Sequence, residues 1–138
     1  MRYRILGVTQ ASDEQGAPIP VGGPRLRALL TVLALHPART LTPGTLIEEI
    51  WATDDDPPHD APAALQALVG RLRRALGRDS VTSTPGGYRL EAAEDDIDLH
   101  VFERRVRAGI QALTTGDPAA AHRLLTDALA LWMIDTTR

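Results

Sequence analysis

DAPAALQALVGRLRRALG, residues 60–77, is the stretch whose reading decides the fold. Asp60 is placed to cap the free N–H groups at the start of a helix, and Gly77 can adopt the left-handed geometry that ends one. Between them Leu65, Leu68, Val69, Leu72 and Leu76 recur at helical spacing and form one apolar face. At about 100° per residue, Ala63, Ala67, Gly70, Arg71 and Arg74 fall on the opposite face. That face is narrow in its first half and cationic in its second, a shape suited to a DNA groove. An ordinary surface helix with solvated arginines fits the same residues, so the neighbouring sequence has to decide.

Two helices are expected before this stretch. Leu26, Leu29, Leu30 and Leu33 mark one over Pro24–Leu35, ended by His36-Pro37 because proline disfavours helical geometry in the residue before it. A second spans Thr42–Trp51, with Thr42 as cap, Pro43 at the first helical position and Leu41 and Leu46 as a hydrophobic staple. Trp51 belongs to its buried face. ATDDDPPH, residues 52–59, reads as a solvated acidic loop. After the cationic helix, Val81–Thr84, the turn Pro85-Gly86-Gly87 and Tyr88–Leu90 form a short hairpin. Ahead of everything, Arg2–Val8 and Ile19–Val21 read as strands of a small antiparallel sheet, joined through turn residues Ser12–Pro18. Sheet, helix, helix, loop, cationic helix and hairpin is the plan of a winged helix-turn-helix.

Beyond Glu91–Ile97, an acidic connector, Asp98 can cap a helix running to Thr115 with Leu99, Phe102, Val106, Ile110 and Leu113 on one face. Gly116-Asp117-Pro118 supplies a stop, a cap and a first-turn proline. A second helix follows to Trp132, with Ala121, Leu124, Leu125, Ala128 and Trp132 as its inner face. The pair has about the length of one tetratricopeptide unit, and one such unit cannot bury its face alone. The fold class expected is α+β: a winged helix-turn-helix with an N-terminal antiparallel sheet and a C-terminal wing hairpin, then an α-helical hairpin.

Composition narrows the function classes. The 138 residues carry 43% hydrophobic and 24% charged side chains, with no cysteine, so disulfides and thiolate zinc sites are excluded. No apolar run approaches a bilayer span and the N-terminus does not read as a secretion signal, so a cytoplasmic protein is expected. The formal net charge is −3. All the basic residues are arginine, and several collect around the helices: Arg25, Arg27, Arg39, Arg71, Arg73, Arg74 and Arg78. An enzyme is not expected: His36, His59, His100 and His122 are scattered without metal-ligand spacing, and no nucleophile stands beside His59-Asp60. No metal site, cofactor fingerprint or phosphoacceptor segment is present, and Gly22-Gly23 lacks the rest of a phosphate-binding loop.

GGPRLRALLTVLALHPARTLTPGTLIEEIW, LQALVGRLRRALG and PGGYRL together resemble the DNA-binding domain of the Streptomyces antibiotic regulatory protein family, itself similar to the winged helix of OmpR/PhoB-type response regulators. DLHVFERRVRAGIQALTTGDPAAAHRLLTDALALW resembles the start of that family's bacterial transcriptional activation domain, which is all-helical and in the family continues well beyond one hairpin. The resemblance implies residues 1–92 as the winged-helix domain and 93–138 as connector and first helical hairpin of the activation domain. It implies a transcriptional activator of secondary-metabolite (antibiotic) gene clusters that binds promoter direct repeats, head to tail, and contacts the sigma or alpha subunit of RNA polymerase. Carried over by position, Asp60–Gly77 is the recognition helix and Ser83–Arg89 the wing. The DNA-binding residues expected are Ala63, Gln66, Ala67, Arg71, Arg73, Arg74, Arg78 and Arg89, and Asp54, Asp55 and Asp56 are a candidate polymerase contact. This chain departs from the family in its first recognition turn, Ala61-Pro62-Ala63-Ala64, where polar or basic side chains are common. The alternative function is a protein-interaction module that uses the winged helix and helical hairpin without specific DNA binding.

Overall fold

A computed structural model describes residues 1–52 and 57–136. The N-terminal sheet is a three-stranded antiparallel meander of β1 (Arg2–Arg4), β2 (Gln10–Ser12) and β3 (Pro18–Ile19), in that order. The register pairs Tyr3 with Ala11 and Ala11 with Ile19. The sequence reading differs here in two ways. The first strand stops at Arg4, and Gln10–Ser12, expected to lead into a turn, is the central strand. Asp13 makes the turn that follows: its carboxylate accepts from the N–H groups of Gln15 and Ala17, both at 2.9 Å.

Helices α1 (Pro24–Leu35), α2 (Pro43–Ile50) and α3 (Ala61–Leu76) then pack on one another. Thr42 caps α2 by accepting from Thr45 N–H at 3.2 Å, and Asp60 caps α3 by accepting from Ala63 N–H at 3.2 Å. Leu29, Leu30 and Leu33 of α1, Leu46 of α2 and Leu65 and Leu72 of α3 are essentially inaccessible. Each such leucine contributes about 1.5–3 kcal/mol of burial free energy, so the three helices are held mainly by their own apolar faces. Arg25 adds a polar tie across the pair α1–α2, donating to Ile50 C=O at 3.2 Å.

The hairpin β4 (Val81–Thr84) and β5 (Gly87–Leu90) closes the winged helix. It is stitched to the loop between α1 and α2. Leu41 N–H donates to Tyr88 C=O at 2.8 Å, Tyr88 N–H to Leu41 C=O at 3.0 Å, and Ala38 N–H to Leu90 C=O at 3.0 Å. Leu41, expected as a staple residue, thus also joins the wing. Gly87 has φ 144°, and a Cβ there would stand 1.9 Å from Leu41 O. Only glycine lets the hairpin come this close.

A single 3-10 turn, Glu94–Asp96, leads into α4 (Asp98–Thr114), and α5 (Pro118–Thr136) returns against it. The core extends past the division expected at residue 92. Ile97 is fully buried and bridges Tyr3 of β1. Asp98 is the first residue of α4 rather than its cap. Its carboxylate accepts from Leu99 N–H at 2.8 Å and from Ile5 and Leu6 N–H at 2.7 and 3.3 Å. His100 Nε2 lies 2.9 Å from Ala34 C=O at the end of α1.

The two last helices meet through Ala121 and Ala128, two of the positions expected on the inner face of α5, but the rest of the contact differs from the reading of their periodicity. Gly109, Ala121 and Ala128 are the buried positions, and a Cβ on Gly109 would lie 2.7 Å from the Leu125 side chain. The contact is therefore made by small residues at close approach. Ile110 and Leu113, on the apolar face expected for α4, are exposed, as is Trp132 of α5, expected inward. Trp132 packs against Phe102 with the ring planes tilted by 53° and the ring centroids 5.8 Å apart.

Candidate nucleic-acid interface

The outer face of α3 follows from how its inner face is held. With Leu65, Leu68, Val69, Leu72 and Leu76 buried, the positions about half a turn away must face solvent. Ala63, Gln66, Ala67, Arg71 and Arg74 are all exposed, and Gly70 between them is half-buried. All eight expected DNA-binding residues lie on α3, just after it (Arg78) or in the wing (Arg89). One of them, Arg73, is half-buried on the flank of α3 and is set apart by its contacts.

The arginines have separate surroundings. Arg73 Nε donates to Val81 C=O at 3.0 Å and its terminal NH2 to Ser83 Oγ at 2.6 Å. Its guanidinium ties α3 to strand β4. Arg71 reaches the other way, donating to Gly22 C=O at 3.3 Å just ahead of α1. Arg74 leans back over Gly70, where its NH1 would lie 3.9 Å from a Cβ at that position. Long side chains on a helix point towards its N-terminus in this way, so Arg74 lies along the exposed face of α3. Arg78 is exposed just after the helix. Arg89 of β5 pairs with Glu91, just beyond the strand, at 2.5 Å. That hydrogen bond, then one from Thr82, holds the Glu91 carboxyl below its ordinary range. The wing arginine is therefore partly neutralised by its own neighbour.

Sequence reading found the face but missed these ties. Ser83, Gly22 and Gly70 carry no charge and no motif; their roles exist only once the hairpin and α1 are folded beside α3. Asp54, Asp55 and Asp56, the candidate polymerase contact, lie outside the described residues. Among the described residues no group of acidic or histidine side chains could hold a metal ion, and no helix is long and apolar enough to cross a membrane.

This architecture is a winged helix-turn-helix with a helical hairpin locked to its N-terminal sheet. Residues 20–90 match the family described as transcriptional regulatory protein, C terminal, and residues 97–135 match the bacterial transcriptional activator domain. With that winged helix followed directly by that activator domain, the chain belongs to the Streptomyces antibiotic regulatory protein family of transcriptional regulators. Among its relatives is the regulatory protein AfsR of Streptomyces griseus, 35% identical over 96% of this chain and 13% of that protein. The transcriptional regulatory protein EmbR of Mycobacterium tuberculosis is 32% identical over 94% of this chain and 34% of that protein. The regulatory protein DnrI of Streptomyces peucetius is 28% identical over 98% of this chain and 53% of that protein. The solved structure of Mycobacterium tuberculosis EmbR in complex with a low-affinity phosphopeptide superposes with a TM-score of 0.85, covering 95% of this chain and 35% of that one. The chain thus spans between about an eighth and about half of the length of these relatives.

Proposed function

We propose that the chain is the DNA-reading and signal-transmitting part of a transcriptional activator, with α3 as its recognition helix in the major groove. The observation that carries this is the outer face of α3, where small side chains leave the helix slim and Arg71 and Arg74 give it charge. Arg71, Arg74 and Arg78 contact phosphates or guanine edges, and Arg89 meets the backbone beside the wing. Arg73 acts as a positioning residue for the wing. Within this reading the protein binds promoter direct repeats head to tail, controls antibiotic-type biosynthetic genes, and engages RNA polymerase through the loop holding Asp54, Asp55 and Asp56. We keep 1–92 as the DNA-binding unit and 93–138 as the activation segment, joined through Ile97 and Asp98.

The test is titration of promoter duplexes at several salt concentrations. Each phosphate contact removed, as in Arg74→Ala, should lower the slope of log affinity against log salt by about 0.9. Unchanged affinity and slope in an Arg71→Ala, Arg74→Ala double variant would overturn the placement of α3. Replacing Asp54, Asp55 and Asp56 should spare DNA binding and weaken transcription in vitro. The exposed Ile110, Leu113, Leu129 and Trp132 favour protein contacts by the helical hairpin. If the chain bound no duplex DNA, those contacts would be left as its function, and the protein-interaction reading would stand.

A further inference from the structure

Affinity and sequence choice are separable on α3. The arginines differ in what already holds them: Arg73 is engaged by Val81 and Ser83, and Arg71 by Gly22. Over the first two and a half turns of the helix the exposed face offers one side chain able to read a base by paired hydrogen bonds, Gln66. Its neighbours on that face, Ala63 and Ala67, end in methyl groups. Gln66, Gly70 and Arg74 form one row at four-residue spacing. Because residue 70 has no side chain, nothing stands between Gln66 and the Arg74 guanidinium that leans over that position.

We infer that Gln66 is the specificity-determining residue, and that it selects an adenine whose neighbouring thymine methyls pack on Ala63 and Ala67. This rests on the reading of α3 as the groove helix. The chemistry is direct. A glutamine amide presents one acceptor and one donor side by side, matching the N6 amino group and N7 of adenine, and the thymine C5-methyl group is met by small apolar side chains. Guanine presents two acceptors in the same place, which suits arginine and leaves a glutamine carbonyl opposed to an acceptor. The half-site facing the N-terminal half of α3 is therefore A·T in character, while Arg74 supplies cationic contact to the pairs beyond it. A helix this slim can also approach the groove floor closely enough for the short glutamine side chain to reach.

The experiment is selection from random DNA duplexes with the 138-residue protein, its Gln66→Ala variant and its Gln66→Glu variant. The wild type should enrich duplexes with one position that demands adenine. Gln66→Ala should flatten that position alone, reducing its discrimination by about five- to 150-fold. Gln66→Glu should move the preference there towards cytosine, whose N4 amino group a carboxylate accepts from. The exposed position and alanine's high helix propensity keep the variant folded, and the glutamate variant gives a gain of preference that misfolding cannot imitate. In the selected duplex, replacing a flanking thymine by uracil should weaken binding about fourfold per methyl removed. Enrichment of the same sequences by all three proteins would overturn the inference while leaving DNA binding intact. Failure of the wild type to enrich any duplex would instead overturn the function proposed above. Uracil duplexes bound as tightly as thymine ones would remove the alanines from the readout.

Discussion

Replacing Arg73 by methionine separates a residue that holds the wing from one that touches DNA. Methionine keeps an apolar stem of similar length and removes the guanidinium. Two hydrogen bonds go with it, Nε to Val81 C=O at 3.0 Å and NH2 to Ser83 Oγ at 2.6 Å. A hydrogen bond from a charged donor contributes about 1.5–3 kcal/mol. The Ser83 bond lies in solvent and counts for little; the Val81 bond is half-buried and counts for most. The expected loss is about 1–2 kcal/mol, and a domain of this size then melts roughly 3–10 °C lower. DNA affinity should fall because the wing is no longer fixed at its angle to α3. The slope of log affinity against log salt should stay unchanged, because no phosphate contact is lost. Arg74→Met is the control, with an unchanged melting temperature and a slope smaller by about 0.9. If Arg73→Met lowered the slope by that amount at an unchanged melting temperature, Arg73 would be a phosphate contact and the positioning argument would be refuted.

Gly87→Ala should destabilise the winged helix by 3 kcal/mol or more, on the order of a severe core defect, because its Cβ would lie 1.9 Å from Leu41 O; urea unfolding measures this, and a wild-type midpoint would show the hairpin can move away. Asp98→Asn should cost about 1–3 kcal/mol, since an amide has a single acceptor oxygen for the Ile5, Leu6 and Leu99 N–H groups. Hydrogen exchange at Ile5 and Leu6 should accelerate, and unaltered protection there would show that the carboxylate does not hold the strand. Tyr3, buried and facing the charge of Asp96, has its hydroxyl pKa pushed up to about 12. The unfolded chain releases that proton near pH 10 and the folded one retains it, so this contribution is whole below pH 10 and fades between 10 and 12. Absorbance titration of the native protein should show one tyrosine ionising late; both ionising together near 10 would refute the burial argument.

The helices that build the winged helix were legible because each carries its own punctuation. Pro24 and His36-Pro37 bound α1, Thr42-Pro43 opens α2, and Asp60 and Gly77 bracket α3 with its leucines between them. The exposed face of α3 was legible for the same reason, since a fixed inner face dictates the outer one. Strand β2 was not, because Gln10–Ser12 is short and polar and becomes a strand through its neighbours on both sides. The packing of α4 on α5 was legible only in part: Ala121 and Ala128 lie inward as their spacing implied, but leucine spacing marks an apolar stripe without saying what covers it, and Ile110, Leu113 and Trp132 stay exposed. The close approach at Gly109 was missed, because there the absence of a side chain is the signal. The division of labour among Arg71, Arg73 and Arg74 was legible only in part: helical spacing put Arg71 and Arg74 on the outer face and left Arg73 off it, but the partners of Arg73 and Arg71 come from the hairpin and from just ahead of α1, which the sequence of α3 does not show.

The hydrogen bonds from Ile5 and Leu6 to Asp98 have a consequence for biosynthesis. They join positions 93 and 92 residues apart, and ribosomes add about 5–20 residues each second. The first strand therefore waits roughly 5–20 s for the carboxylate that completes its surroundings, with its outer edge open to any other nascent chain. The strand that waits is only three residues long and carries arginine at both ends, Arg2 and Arg4. Short length and charge are what keep an open edge from recruiting a wrong partner. When residue 98 arrives, Asp98 stands by Arg4, its Nε 4.0 Å from Asp98 Oδ2. A charge that guards the edge during synthesis becomes part of the joint that closes it.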